Sequence, residues 1–182
     1  MQVLLKALLM SAWLAAMQAS NYIVAFFFYF FAARLLSPSE IGSLSLLMAF
    51  ISIYNTVTML ALNNAAIKFI SESVGRGERE IASVVSRKIL KTVLLIDSTA
   101  LFASVVASPG IASFVHAGIN EVLLAIATAF ILDLTFYYGG VMFGLGLFKQ
   151  VSAQNIVFYW ISRSVAILLM PKGVLGVMEG FL

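Results

Sequence analysis

The chain has 182 residues, 62% of them hydrophobic and only 10% charged, where a soluble domain carries about 25% charged residues. Its mean hydropathy is +1.05, its formal net charge is +3, and it contains no cysteine. These values exclude a soluble globular domain, a disulfide framework, a thiol nucleophile and a thiolate metal site. A pI near 9.3 does not point to nucleic acid, because the basic residues cluster between apolar segments.

Charged residues fall at a rhythm that counts membrane crossings. Lys6 and Arg34 enclose 27 residues without Asp, Glu, Lys or Arg, and Glu40 and Lys68 enclose another 27. Three further stretches, Lys91 to Glu121, Glu121 to Lys149 and Lys149 to Lys172, are interrupted only by Asp97, Asp133 and Arg163. A bilayer core takes about 20 apolar residues per helix, and in lipid only helices and closed barrels satisfy their backbone. Ile23 to Phe31 lacks the alternation of a barrel strand. The expected fold class is therefore all-α integral membrane: a polytopic helical bundle of five complete transmembrane helices plus the start of a sixth.

The first helix is expected over 7–33; its apolar segment is too long for the h-region of a cleaved signal peptide. Phe26 to Phe31 is a run of six aromatics, which covers every face of a helix, so most of these rings serve as bulk toward lipid or neighbours. Pro38 disfavours helix at Ser37, and Ser39 is in place to cap a second helix over 41–67. The segment from Lys68 to Lys91 is the one substantial polar stretch, with six basic and three acidic side chains and a turn at Gly75-Arg76-Gly77. Beyond it Ile81, Val84, Val85 and Ile89 form an amphipathic lead into a third span over 92–115, with an end or a kink at Pro109-Gly110. The fourth and fifth spans are expected over 122–147 and 151–170. Val174 to Leu182 begins something apolar that the chain does not finish, the start of an incomplete sixth helix.

Orientation follows from basic residues in short loops. With the N-terminus in the cytoplasm, the inner side holds Lys6, Lys68, Arg76, Arg79, Arg87, Lys88, Lys91 and Lys149, against Arg34 and Lys172 outside.

An ionisable side chain within the membrane is costly unless paired or hydrated, so it marks function by default. Asp133 lies 16 residues before Lys149 and Arg163 lies 14 after it; at 1.5 Å per residue these are depths of about 24 and 21 Å. Two antiparallel helices would therefore hold opposite charges at matching depth, either as a permanent ion pair or as a site where an anion displaces Asp133 from Arg163. Tyr159 and Trp160 precede Arg163 by four and three residues, near its own face, where they could shield the guanidinium or stack on a sugar. Asp97 lies six residues past Lys91, about 9 Å up its helix. Asn63 and Asn64 sit at comparable depth on the second helix, and the three together are a candidate coupling-ion site or the polar lining of an inner mouth. Gly140 and Gly144 match the small-xxx-small pattern of close helix contact, and with Gly139 and Gly146 they also permit bending. His116 is the only histidine and is expected in an outer loop. No metal-ligand spacing, phosphate-binding loop or nucleophile motif is present, so no catalytic residue, no metal and no enzymatic turnover are expected.

The segment Ala33-Arg34-Leu35-Leu36-Ser37-Pro38-Ser39-Glu40-Ile41-Gly42 resembles the signature of polysaccharide-export flippases of the Wzx type. Asn64 to Glu72, Gly144-Leu145-Gly146-Leu147-Phe148-Lys149 and Gly173-Val174-Leu175-Gly176 resemble, in order, that family's second-helix exit, its loop after the fourth helix and its entry to the sixth. The family belongs to the multidrug/oligosaccharidyl-lipid/polysaccharide exporter superfamily. The resemblance implies that residues 1–182 are the N-terminal transmembrane lobe, half of a two-lobe transporter fold, whose other partner is a missing C-terminal lobe of the same protein. It further implies a multi-pass protein of the cytoplasmic membrane that flips a lipid-linked oligosaccharide by alternating access. A lipid-linked glycan and membrane lipids would be its partners, without nucleic acid, and Arg163 would meet pyrophosphate or acidic sugars. No cofactor is expected; coupling to a proton, to sodium or to the membrane potential stays open. Alternatives are a cation-coupled multidrug exporter or a cell-wall lipid-precursor flippase of the same superfamily, and, from other classes, a structural membrane subunit or a membrane enzyme.

Overall fold

The computed structural model describes the backbone of residues 2–182 and the side chains of residue 8 and residues 10–182. The side chain of Lys6, counted above among the inner charges, lies outside the described residues. Among the described residues there are seven α-helices and no strand: α1 (Gln2–Leu35), α2 (Pro38–Met59), α3 (Leu62–Gly75), α4 (Arg79–Val115), α5 (Ile119–Gly144), α6 (Phe148–Leu169) and α7 (Val174–Phe181), with a short 3-10 turn at Met170–Lys172 before α7. Five of them, α1, α2, α4, α5 and α6, contain stretches long and apolar enough to cross a membrane. The all-α polytopic fold is as expected.

Local chemistry sets most helix ends. Ser37, not Ser39, caps α2: its hydroxyl accepts from the Glu40 amide, while the Ser37 amide donates to Glu40 Oε2 at 2.8 Å. Pro38 occupies the first helical position, where its missing N–H costs nothing. Only the return half of that device opens α5, where the Gly118 amide donates to Glu121 Oε2 at 2.9 Å. Gly77 and Gly146 take left-handed backbone, with φ of +79° and +77°, at the turns before α4 and α6. Proline at 109 does not end α4; it removes one ladder hydrogen bond, and the helix continues to Val115.

The expected second helix over 41–67 requires correction. It breaks at Leu60 and Ala61, both in left-handed conformation (φ 42° and 62°), so that α2 stops at Met59 and a separate amphipathic α3 begins at Leu62. Neither residue is a glycine, so packing elsewhere holds them in a conformation that L side chains disfavour.

The core forms where α2 lies on α5. Leu44, Leu47, Ile51 and Tyr54 share one face of α2 and pack against Val122, Ala125, Ile126 and Ala129. Ala166 of α6, Met170 of the 3-10 turn, and Val177 and Met178 of α7 close the same cluster. Small residues on α5 let backbones approach, the geometry on which helix association in lipid depends. At the basic end of the bundle, where α3 meets α4, Gly140 and Gly144 seat α3: a Cβ at Gly140 would collide with Asn63 Oδ1, and one at Gly144 would lie 2.8 Å from Ile70 Cβ. Close packing is thus the role the structure gives these two glycines. α1 stands at the edge, packed chiefly on α6. Of its aromatic run only Phe28 is buried; Phe26, Phe27, Tyr29, Phe30 and Phe31 are exposed.

The glycine contacts carry a test. Gly144→Ala is expected to destabilise the bundle by about 1–3 kcal/mol through overpacking. Gly110→Ala, in α4 with nothing within 4 Å of the added Cβ, is expected to be neutral or to stabilise by up to about 1 kcal/mol. Thermal unfolding of the two variants in detergent checks the opposite signs.

Candidate functional site

The polar interior is built mainly by α2. Tyr54 and Thr58 lie one turn apart on a single helix face, with Asn55 beside them. Tyr54 donates its hydroxyl proton to Asp97 Oδ1 on α4 at 2.8 Å, with the Asp97 carbonyl oxygen at 3.1 Å. Asn55 donates through Nδ2 to Asp133 Oδ1 on α5 at 2.6 Å and to the Ala129 carbonyl at 2.9 Å. Thr58 donates to Asp133 Oδ2. Both carboxyl groups are fully buried and near enough to act on one another electrostatically. Burying such groups is tolerable only because donors meet them. Asp133 has both oxygens bonded, whereas Asp97 Oδ2 is buried with no hydrogen-bond partner. The cluster is therefore asymmetric: α2 donors meet both oxygens of Asp133, whereas the second oxygen of Asp97 meets no such donor and has the Asp133 carboxyl beside it. One step toward the basic end, the polar ladder continues where Tyr137 on α5 donates to the Ser86 carbonyl on α4 at 2.8 Å.

Arg163 occupies a separate chamber. Its guanidinium lies 4.6 Å from the ring centre of Phe28 and 4.8 Å from that of Phe181, so aromatic faces from α1 and α7 supply cation–π attraction. Its Nη1 is buried with no hydrogen-bond partner. Beside it lies a cavity of about 100 Å³, whose lining includes Thr128, Phe158, Tyr159, Ser162, Arg163 and Phe181. A cation with an unmet donor next to a small cavity is chemically suited to an oxyanion.

Several expectations about this region are corrected. Asp133 and Arg163 do not pair: among the described residues the sole ion pair joins Lys172 to Glu179, at 3.3 Å. Asp133 faces α2, while Arg163 faces the rings of α1 and α7. Tyr159 does line the Arg163 cavity. Trp160 does not; its Nε1 donates to Ser20 Oγ on α1 at 2.8 Å, and it fastens α6 to α1. Asp97 is not near a surface but midway along α4, in the same cluster as Asp133. Asn63 and Asn64 do not join it: Asn63 packs on Gly140 with its Oδ1 unbonded, and Asn64 is exposed. No group of three or more potential metal-ligating side chains occurs among the described residues.

Tyr54, Asn55 and Thr58 escaped the sequence reading, although a signal was present. The run Tyr54-Asn55-Thr56-Val57-Thr58 is a polar stretch in the middle of a span, and polar side chains at that depth face the bundle rather than lipid.

Tyr54→Phe preserves shape but leaves both Asp97 oxygens without a donor. The expected loss is about 1–3 kcal/mol, read as a lowered unfolding midpoint in detergent. Adding Asp97→Leu to Tyr54→Phe should recover much of that loss, because the unmet acceptor is then gone.

The chain finds no match among curated proteins or solved structures. The sequence profile of the family described as "Polysaccharide biosynthesis protein" matches residues 10–171, which takes in α2 to α6 entire, Arg163 included, and most of α1. This multi-pass helical bundle belongs to the polysaccharide biosynthesis protein family.

Proposed function

We propose that the protein is a flippase that carries a lipid-linked oligosaccharide, a polysaccharide precursor, across the cytoplasmic membrane by alternating access, without enzymatic turnover. The observation that carries this reading is Arg163: a guanidinium inside the bundle, held by aromatic rings with one nitrogen unbonded, beside a cavity. A structural arginine would be expected to meet a carboxylate, and Asp133, the nearest in depth, is engaged elsewhere. An unsatisfied cation suits a transient anionic partner, and the pyrophosphate that joins lipid to glycan supplies one. Family membership supports the substrate class.

In this reading the second polar cluster supplies the energy coupling. The open oxygen of Asp97, beside the saturated Asp133, is a place for a proton or a sodium ion to bind and leave during the cycle. Membrane lipids surround the exposed aromatic face of α1, the N-terminus is cytoplasmic, and a second lobe, as in the resembling flippases, completes the transport path. A multidrug exporter of the same superfamily would share the Asp97 arrangement, whereas a cationic chamber would repel its cationic drugs.

The test is complementation of a flippase-deficient strain by the full-length protein. Arg163→Ala is expected to insert normally and to lower surface polysaccharide about tenfold or more, the scale of one lost charge-assisted bond, while Arg163→Lys retains part of it. Undiminished export by Arg163→Ala at normal protein levels would sink the reading. Lost insertion in both variants would instead mark Arg163 as a structural residue.

A further inference from the structure

α5 and α6 form a hairpin whose helices touch little beyond the turn at 145–147. Between them runs a groove of about 370 Å³, within the range of about 300–1,000 Å³ typical of small-molecule sites. One face of α5 contributes Thr135, Tyr138 and Gly139, and one face of α6 contributes Gln154, Asn155 and Phe158. Gln154 is exposed and makes no hydrogen bond among the described residues; Asn155 donates through Nδ2 to the Val151 carbonyl at 2.9 Å, which leaves its Oδ1 without a partner among them. Tyr138 is exposed and lines the groove.

Depth gives these residues their meaning. Gln154 stands six residues into α6 and Thr135 nine residues from the end of α5, about 9 and 14 Å from the basic end of the bundle. An amide facing hydrocarbon there would leave donor and acceptor unmet, at a cost of a few kcal/mol. An acyl chain is therefore a poor occupant, while water or a polar ligand is a good one. No charged side chain lines the groove, so it does not select phosphate. Amides and hydroxyls beside two aromatic rings match a neutral sugar, whose hydroxyls bond to amides and whose C–H face packs on a ring. Phe158 also lines the Arg163 cavity, so one ring borders both spaces, with Arg163 five residues, about 7 Å, further along α6.

We propose that the α5–α6 groove is a glycan subsite, which takes uncharged sugar residues next to the anionic linkage held at Arg163. The proposal rests on the transport reading above. It assigns Gln154 and Asn155 to hydroxyl recognition and Tyr138 and Phe158 to ring stacking.

The absence of cysteine from these 182 residues permits a direct test. Gln154→Cys and Thr135→Cys, placed singly in the full-length protein without other cysteines, are expected to react with a charged, water-soluble methanethiosulfonate. Leu168→Cys, at an exposed apolar position of α6, is expected to react far more slowly. The lipid-linked oligosaccharide fraction of the producing strain should slow labelling at 135 and 154 severalfold, and the same fraction stripped of its glycan should not. Equal protection by both fractions would assign the groove to the isoprenoid chain, and lack of labelling would mean that lipid or protein fills it; either result overturns the proposal. Export in cells separates this outcome from the fate of the transport reading. Gln154→Leu should reduce export at normal protein levels. If Arg163→Ala abolishes export while Gln154→Leu and Tyr138→Leu leave it unchanged, the subsite falls and the flippase reading stands.

Discussion

A polar group at membrane depth has no water to bond with, so it must find its partners inside the protein. That constraint organises this bundle. α2 carries donors at Tyr54, Asn55 and Thr58, α4 and α5 carry the acceptors Asp97 and Asp133, and the three helices assemble in the one arrangement that joins them. Apolar contacts around Leu47, Ile51 and Ala129 are compatible with many rotations of a helix about its axis. The hydrogen bonds are not, since each fixes an azimuth as well as a depth.

The same constraint separates structure from function within the interior. Asp133 is fully bonded and reads as a register pin. Asp97, with one oxygen free, and Arg163, with one nitrogen free, are the groups the fold leaves incomplete. They lie apart, Asp97 among α2, α4 and α5, and Arg163 on α6 between rings of α1 and α7, beside a cavity that α2 and α5 also line. Such a division suits a carrier, because an anionic cargo and a coupling cation bound side by side would neutralise each other rather than act on the helices that hold them. The glycine contacts of α5 with α3, and the left-handed pair Leu60-Ala61 between α2 and α3, lie on the basic side of the Asp97–Asp133 cluster.

Much of the fold was legible in the charge rhythm. The long spacing between charges gave the number of spans, whereas the cap of α2 falls at Ser37 and not at the expected Ser39. What failed were inferences that needed rotation about helix axes. Asp133 and Arg163 share a depth, yet helix rise says nothing about which way each points, and packing of α6 on α1 and α7 turns Arg163 toward Phe28 and Phe181. Asp97 was placed near a surface because Lys91 was taken as the membrane boundary, whereas α4 begins at Arg79 and carries Lys91 well up its length. The break at Leu60-Ala61 had no sequence signal, since leucine and alanine are strong helix formers; tertiary packing overrides them. The aromatic run was read correctly as bulk except at Phe28, whose contact with a cation five helices later in the chain no local pattern could reveal.

The most direct measurement is transbilayer movement of a lipid-linked oligosaccharide in vesicles that contain the purified full-length protein. Protein-dependent appearance of the glycan on the opposite leaflet, faster than movement of the same lipid without its sugars and lost in Arg163→Ala, is the expected result. Movement no faster than in protein-free vesicles, with the protein folded and correctly inserted, would contradict the account.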